Sequence, residues 1–333
     1  YQTRRSLDGI DPFPYALRMA HETRALLAEL IHARPEQIGF VMNTSDGLNI
    51  LAQGLTWQLG DRIVLNELEF PANAYPFVNL QRHGVEIDWV RATEHRITPK
   101  SIAEALTDRT RLVSISHVQF STGARADLAA IGQLCHERGI PLAVDAIQSL
   151  PHTPIDVERM HVDFLACGSH KWLMAAEGAG FVFASDRAIS LIHQASLGWT
   201  SVEDAFDFSL HPERLRAGAA RFEGGTINFS AIAALKASLE FFREYGYEAM
   251  TRDVLELSGI VLDGLSQKGF EIVTPRAPEE RSGIVSFVVP EPQELFDRLM
   301  RANIHVSLRA GRLRVAPHFY NTEEEVRRLL AEL

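Results

Sequence analysis

From Ile38 onward, short apolar segments rich in β-branched residues alternate with longer segments of helical periodicity. Apolar runs without a polar alternation are typical of strands that are buried on both faces. Strands that alternate with helices in this way form a mostly parallel sheet covered by helices on both sides. The sequence therefore predicts an α/β fold, whose expected strands have the sequences IGFVM, RIVLN, EIDWV, RLVSIS, PLAVD, DFLAC and GFVFA.

The pattern changes after the helical segment that begins near Ala231. The segments EIVTP, GIVSFVVP, IHVSL and RLRVAP lie close together, with one helix-like segment among them. This arrangement predicts a smaller C-terminal α+β domain packed on the larger one. We expect a large domain over residues 1–240 and a small domain over residues 241–333, with residues 1–35 belonging to one or the other. The charged stretch Arg276–Gly283 is expected to be an exposed loop.

Composition narrows the class of protein. Lys plus Arg number 33 and Asp plus Glu 43, which gives a net charge of −10 with no block of like charge. This balance argues against binding to nucleic acid or to an anionic membrane. No apolar stretch reaches the roughly 18–20 residues that span a bilayer, and no basic-then-apolar leader opens the chain at Tyr1. Only two cysteines occur, which favours a reducing compartment, and we expect a cytoplasmic protein.

Ligands of parallel sheets bind beyond the carboxyl ends of the strands, so the residues that follow each strand are the informative ones. After IGFVM comes NTSDG and then a helical pattern, which places the hydroxyls of Thr44 and Ser45 and several free N–H groups at a helix N-terminus. Such a position is suited to a phosphate group. An ordinary N-cap is the alternative interpretation.

Two further strand ends carry candidate contacts. Phe70 follows RIVLN and precedes a proline, where its ring could stack on a flat ligand; the alternative is a core phenylalanine. After RLVSIS, the segment HVQFSTG offers His117, Gln119 and Ser121 as polar contacts. The sequence leaves open which of these three faces the site.

The most specific pair is Asp145, which ends the PLAVD strand, and Lys171, which follows DFLAC. A carboxylate at the end of an apolar strand needs a cation to be buried, and a pyridinium is such a cation. A lysine amine condenses with an aldehyde, so the pair predicts a site for pyridoxal 5'-phosphate. Gln148, Ser169 and His170 lie beside the pair as further cofactor contacts. The alternatives are an Asp that caps the next helix and a solvated surface lysine.

Two later segments complete the predicted site. In RFEGGTIN, Gly225 and Thr226 offer a second phosphate contact, which we expect to reach across to a partner subunit of a homodimer. Arg309 and Arg314 bracket a tight turn between the last two strands, and a guanidinium suits a substrate carboxylate. Surface arginines are the alternative. The histidines form no cluster at metal-ligand spacing, so we expect no metal.

Taken in order, the motifs NTSDGLN, ELEFPAN, VDAIQS, SHKWL with GAG, RFEGGTIN and RVAPHFYN resemble those of the class V aminotransferase family. This family of fold-type I pyridoxal-phosphate enzymes includes cysteine desulfurases, selenocysteine lyases and isopenicillin N epimerase-like proteins. The resemblance implies Lys171 as the Schiff-base lysine, Asp145 at the pyridine nitrogen and Gln148 near the phenolic oxygen. It also implies that Thr44, Ser45 and His170 contact the phosphate, together with Thr226 of the second subunit. By the same resemblance, Phe70 takes the stacking position, and Arg314 contacts the substrate carboxylate.

Three departures from the family pattern bear on the chemistry. Phe70 stands where desulfurases have a stacking histidine, which removes one acid/base group. Ala175 and Ala176 stand where many relatives have Gly-Pro. The turn from Arg309 to Arg314 closes without the cysteine that desulfurases carry in a mobile loop there, which argues against a persulfide on the enzyme.

The sequence thus predicts a homodimeric enzyme that binds a small amino acid as an external aldimine by displacing Lys171, whose amine then moves the α-proton. Transamination, β-elimination at a C–S bond and epimerisation share these steps, and the sequence does not distinguish among them. A non-catalytic binding module on the same fold is the rival from another class, but such a module has no need of Lys171, Asp145 and Arg314 together. A dinucleotide-binding oxidoreductase is disfavoured, since no G-x-G-x-x-G follows the first strand.

Overall fold

A computed structural model describes residues 2–7, 12–208 and 214–333. Its main sheet has seven strands in the order β1-β7-β6-β5-β4-β2-β3. All run parallel except β7, which is antiparallel to both of its neighbours. The predicted α/β fold is confirmed, and each expected strand is present: β1 Ile38–Val41, β2 Arg62–Asn66, β3 Glu86–Val90, β4 Thr110–Ser116, β5 Leu142–Asp145, β6 Phe164–Gly168 and β7 Gly180–Ala184.

Helices cover both faces of this sheet because successive strand residues point to opposite sides and both sides are apolar. In β4, Leu112 belongs to the hydrophobic cluster on one face and Val113 to that on the other. The helices are α1 Gln2–Leu7, α2 Pro12–Ile31, α3 Thr44–Gly54, α4 Pro71–Val78, α5 Pro99–Ala105, α6 Leu128–Glu137, α7 Asp186–Leu191, α8 Phe229–Tyr245, α9 Tyr247–Gln267, α10 Pro292–Arg301 and α11 Glu323–Glu332.

A second sheet of three antiparallel strands lies in the C-terminal part, in the order β8-β10-β9, with β8 Val285–Phe287, β9 Ser307–Arg309 and β10 Arg312–Val315. A third hydrophobic cluster joins this sheet to α9, α10 and α11. The expected EIVTP strand is wrong, since only a bridge from Ile272 to Phe287 forms. Val273 and Thr274 both donate to the Ser286 carbonyl, and Pro275 has no N–H with which to continue a ladder.

The expectation that Arg276–Gly283 is an exposed loop holds only for its first part. Its first residues are exposed or half-buried, but Arg281, Ser282 and Gly283 are buried. Arg281 donates to the hydroxyl of Ser258 and to the carbonyl of Leu255. Buried polar groups require such partners, so these bonds account for the burial of a charged residue.

Helix α2 packs along α8, and its apolar residues share a cluster with the main sheet. This contact favours the large domain over the small one for residues 12–31. Helix α9 spans both parts, since Met250 and Val254 belong to the large cluster and Val261 and Leu265 to the small one. Within the described ranges, no helix is both long and apolar enough to cross a membrane.

Candidate active site

Strands β4, β5 and β6 bring their carboxyl ends to one edge of the sheet. Their register pairs Ser116 with Asp145 and Asp145 with Ala166. Just beyond the strands, the N–H of His117 donates to the carbonyl of Asp145 at 3.0 Å. The segments that follow the three strands are therefore neighbours, as parallel strands require.

Asp145 is buried at this edge with 2% of its surface exposed. One carboxylate oxygen, Oδ1, accepts the N–H of Ile147 at 2.9 Å, and turns rather than a helix follow at residues 147–152. Burial raises the pKa of Asp145 to about 7, with Glu69 adding to the rise and Lys171 opposing it. A carboxylate with so few partners is a ready acceptor for a cation with an N–H.

Lys171 follows β6 and is partly buried beside Asp145. Its Nζ lies 5.3 Å from the centre of the Phe70 ring. Burial lowers the pKa of the Lys171 amine; Asp145 acts in the opposite direction, and Arg314 adds to the lowering. A lower pKa increases the fraction of neutral, nucleophilic amine.

The N-terminus of α3 lies against the end of β6. The hydroxyl oxygen of Thr44 accepts the N–H of Gly168 at 3.0 Å, which leaves its own proton free for another acceptor. Asn43 is the N-cap and accepts the N–H of Asp46, so the hydroxyls of Thr44 and Ser45 are not used for capping. Close packing of the helix on β6 is possible because Gly47 faces Ala166, where a Cβ would lie 2.9 Å away.

Phe70 is the N-cap residue of α4 and is 40% exposed, so it is not a core residue. Its ring meets that of Phe120 edge to face, with centroids 5.1 Å apart. Arg314 donates from Nη1 to the carbonyl of Phe120 at 2.6 Å. This bond holds Arg314 of β10 beside the rings of Phe70 and Phe120 and near Lys171.

The two arginines differ in their surroundings. Arg314 is half-buried, and its Nε has no partner among the described residues. Burial, with the nearby charge of Arg309, lowers the pKa of Arg314 to about 10. Arg309 is exposed and donates to the carbonyl of Leu308. The turn between them is tight as predicted, with Ala310 and Gly311 both at positive φ.

The segment after β4 forms a buried polar network. Glu69, which sequence reasoning missed, accepts hydrogen bonds from the Ser116 N–H at 2.8 Å and from Gln119 Nε2 at 3.1 Å. Oε1 of Gln119 and Nδ1 of His117 have no partner among the described residues. Burial, with the charge of Arg125, lowers the pKa of His117 to about 3, so its ring is neutral. Ser121 is buried nearby without a described contact.

The segment around Lys171 accounts for three more predicted residues. Gln148 is buried and uses its Oε1 to accept the indole N–H of Trp172 at 3.0 Å. The hydroxyl of Ser169 donates to the carbonyls of Ala176 and Ala179, so it closes the turn in which Ala175 and Ala176 replace Gly-Pro. His170 is exposed at the start of this turn.

Gly225 and Thr226 lie in the segment that leads into α8. They line a cleft of about 640 Å³ on the side of α2, together with Trp199 and Phe206. Gly225 is half-buried and Thr226 is exposed. The lining of this cleft includes neither Lys171 nor Asp145.

Both cysteines are buried. Cys135 lies in α6 and Cys167 in β6, as predicted from the sequence. Burial raises the pKa of Cys135 to about 12 and that of Cys167 well above its ordinary value. Residues 2–7, 12–208 and 214–333 contain no cluster of His, Cys, Asp and Glu side chains that could hold a metal ion.

These groups fit pyridoxal phosphate. Asp145 offers a free oxygen for a pyridinium N–H, Lys171 an amine for the aldehyde and Phe70 a partly exposed ring for stacking. The Thr44 hydroxyl and the α3 N-terminus suit a phosphate. The unpaired Nε of Arg314 suits a carboxylate.

Comparison with known proteins agrees with this geometry. The family model of "Aminotransferase class-V" matches residues 14–329. A probable cysteine desulfurase of Methanothermobacter thermautotrophicus is 30% identical over 94% of this chain and 82% of its own length. The isopenicillin N epimerase of Amycolatopsis lactamdurans is also 30% identical, over 93% of this chain and 83% of its own.

Solved structures give the same answer. The cystine C–S lyase C-DES, in complex with its product cysteine persulfide, has a TM-score of 0.91 at 26% identity, covering 99% of this chain and 90% of its own. A variant of C-DES, with glycine covalently linked to its PLP cofactor, has the same TM-score and identity and covers 99% and 89%. The resemblance predicted from the motifs is confirmed, and the chain belongs to the aminotransferase class-V family.

Proposed function

We propose that this protein, a pyridoxal-phosphate-dependent enzyme by its family, moves the α-proton of a small amino acid with the amine of Lys171. The proposal depends mainly on one observation. Lys171 is half-buried with a lowered pKa, and it lies near the buried carboxylate of Asp145, which accepts one hydrogen bond, from Ile147. When bound, the cofactor's protonated ring accepts electron density from the substrate. Asp145 keeps that ring nitrogen protonated by holding a negative charge beside it.

In this proposal the chain's own groups bind and orient the substrate. The guanidinium of Arg314, fixed by the Phe120 carbonyl, pairs with the substrate carboxylate. Phe70 covers one face of the site with an apolar ring and offers no proton. Proton transfer at Cα therefore falls to Lys171, whose partly neutral amine can act as a base.

The reaction that follows proton removal is proposed as transamination or, as a second candidate, β-elimination at a C–S bond. The second is favoured by relatives named as probable cysteine desulfurases and by the neighbour that is a cystine C–S lyase. Both thiols are buried with raised pKa values, and the β9–β10 turn has no cysteine. We propose that the sulfur then leaves in a small molecule and is not carried by the enzyme.

We also propose a homodimer with shared sites in the cytoplasm. The support is the exposed Thr226, which lines an apolar cleft that includes Trp199 and Phe206 and does not include Lys171. A phosphate contact from this loop would serve the neighbouring subunit. The acidic composition is consistent with a protein that binds neither nucleic acid nor membranes.

The test is a panel of amino acids added to the cofactor-loaded protein, with both absorption and products recorded. Transamination releases a 2-oxo acid and leaves the aminated cofactor, whereas β-elimination releases pyruvate, ammonia and a sulfur product from cysteine or cystine. Racemised amino acid without either product would indicate epimerisation. A protein that binds the cofactor but changes none of the amino acids would contradict the proposal and favour a binding module.

A further inference from the structure

Trp172, the residue after Lys171, is enclosed by the rings of two histidines. Its indole is 6% exposed. The His152 ring lies 3.9 Å away and the His318 ring 5.0 Å away between centroids, each tilted by 32°. At the ring edge, a Cβ on Gly283 would lie 2.6 Å from the indole, so the buried end of the Arg276–Gly283 segment closes the remaining side.

The indole N–H points at Gln148. An indole nitrogen can only donate, so the atom it meets at 3.0 Å must be the amide oxygen Oε1. The two sides of a glutamine amide are otherwise hard to tell apart, and here the partner decides between them. The NH₂ group of Gln148 is consequently turned away from Trp172.

The main chain of Trp172 is held separately. Nδ1 of His318 accepts the N–H of Phe319 at 2.9 Å, so the ring proton of neutral His318 is on Nε2. That nitrogen donates to the carbonyl of Trp172 at 3.1 Å. Burial lowers the pKa of His318, which keeps the ring in this neutral form. The segment between β10 and α11 is thereby bonded to the residue next to Lys171.

His152 takes part only through its ring face. It is 1% exposed, and neither ring nitrogen has a hydrogen-bond partner among the described residues. Burial, with His318 and His117 nearby, lowers the pKa of His152 well below its ordinary value. A neutral imidazole without partners contributes here by packing against the indole.

We propose that Trp172 is a positioning residue of the Lys171 site, which fixes Gln148 as a hydrogen-bond donor toward the cofactor while His152 and His318 hold the indole in place. The inference rests on the proposed function, because it needs a cofactor beside Gln148. In this proposal the indole N–H orients the Gln148 amide, a role that stacking between the histidines would not need. Phenylalanine at this position could still pack between the two histidines but has no N–H with which to orient the amide.

The proposal has a spectroscopic consequence. A donor to the phenolic oxygen of the cofactor favours the more negative form of the Lys171–cofactor chromophore, and so lowers the pKa of that chromophore. With Trp172→Phe, the Gln148 amide is free to turn and the donor is partly lost. The chromophore pKa should then rise by roughly 0.5 to 1 pH unit, the size expected for one hydrogen bond.

The experiment is a double-mutant cycle read by pH titration of the visible absorption band. Trp172→Phe should raise the chromophore pKa, and Gln148→Ala should raise it by a similar or larger amount. In the Gln148→Ala background, Trp172→Phe should have no further effect, because it acts through the amide. Trp57→Phe is the matched control: it removes an indole N–H bond to the Ala52 carbonyl, and Trp57 is not among the residues of this site.

Several outcomes would overturn the inference. An unchanged pKa in Trp172→Phe, or equal and additive shifts in both backgrounds, would assign Trp172 to packing alone. If Trp172→Phe does not fold, Gly283→Ala is the second variant: its Cβ would crowd both the indole edge and Val254. It should give a rise in the chromophore pKa that again vanishes in the Gln148→Ala background. Failure of the wild-type protein to form the chromophore would count against the proposed function, and is thus distinguishable from failure of this inference.

Discussion

At the scale of single residues, the four lysines of the chain differ in their partners. Lys100 and Lys236 pair with glutamates within their own helices, and Lys268 is exposed at the end of α9. Lys171 makes no such ion pair with any of the residues that the structure describes, and burial lowers its pKa. An amine of this kind is the one best prepared to attack an aldehyde.

Asp145 gives the first prediction. Its pKa is raised from an ordinary 3.8 to about 7, so the folded state holds a proton that the unfolded state has lost over this interval. The contribution of protonated Asp145 to the stability of the cofactor-free protein is therefore fully present below about pH 4, and it is lost as the pH rises through about 7. Asp145→Asn should remove this dependence and stabilise the cofactor-free protein at pH 8 by on the order of 3 kcal/mol.

Urea unfolding of both cofactor-free proteins at pH 4.5 and pH 8 measures the effect. The same variant should bind the cofactor more weakly and release the substrate α-proton more slowly, because a neutral amide does not hold the ring nitrogen protonated. Equal stability of the two proteins at both pH values, with equal turnover, would show that Asp145 carries neither role.

At the scale of elements, the β9–β10 hairpin brings a guanidinium from the small sheet to the large one. Arg314 is held there by the carbonyl of Phe120, 194 residues away in the chain. Register in the hairpin follows from its two-residue turn, so the side chain is aimed by backbone pairing. The hairpin thus places the guanidinium of Arg314 near Lys171, where we propose that it binds the substrate carboxylate.

Arg314→Ala should raise the KM for amino acids far more than for the corresponding decarboxylated amines. Loss of one desolvated charged contact costs about 2 to 4 kcal/mol, which is roughly a 30- to 1000-fold change in kcat/KM. Arg312→Ala, on the same strand, is the matched control and should leave the ratio unchanged. Equal effects of Arg314→Ala on both kinds of substrate would assign this residue to the structure of the loop at Phe120.

The two cysteines lie in a helix and a strand of the core, and we predict that neither is a catalytic nucleophile. A double variant Cys135→Ser, Cys167→Ala should lose roughly 1 to 3 kcal/mol of stability, since both side chains are buried. Its turnover should be retained, because neither thiol ionises readily. Intact-mass analysis after reaction with cysteine should find no added sulfur; a persulfide lost together with activity in the double variant would contradict this.

The sequence predicted those parts of the molecule that depend on local pattern. The seven apolar runs of the main sheet became strands because a continuous apolar segment is typical of a strand covered on both faces. EIVTP, which lies outside that sheet, did not. Asp145 and Lys171 were found because strand ends converge in a parallel sheet. That Lys171, Asp145 and the other predicted contacts bind the cofactor stays a prediction.

Residues whose role depends on distant contacts were missed. Glu69 meets Ser116 across 47 positions, and His318 meets Trp172 across 146. No spacing rule links such residues before the fold is known. Glu69 itself gave no clear signal, since it lies in the polar stretch Asn66-Glu67-Leu68-Glu69.

At the scale of the whole molecule, the proposed dimer couples assembly to cofactor binding. If Thr226 completes the phosphate site of the neighbouring subunit, cofactor should strengthen dimerisation and dimerisation should strengthen cofactor binding. Thr226→Ala should weaken cofactor affinity roughly 10- to 150-fold, which corresponds to the 1.5 to 3 kcal/mol expected for one hydrogen bond to a charged group. Sedimentation with and without cofactor measures the linkage, and a monomer that keeps its cofactor on dilution would rule out a shared site.

The central claim is that Lys171 is the residue that holds pyridoxal phosphate, and one measurement tests it directly. Purified protein is loaded with the cofactor, reduced with borohydride to make the bond permanent, digested and analysed by mass spectrometry. The account predicts a single modified lysine, Lys171, and no modified peptide in Lys171→Ala. Modification of Lys100, Lys236 or Lys268 instead, or loading of Lys171→Ala with an unchanged absorption band, would contradict it.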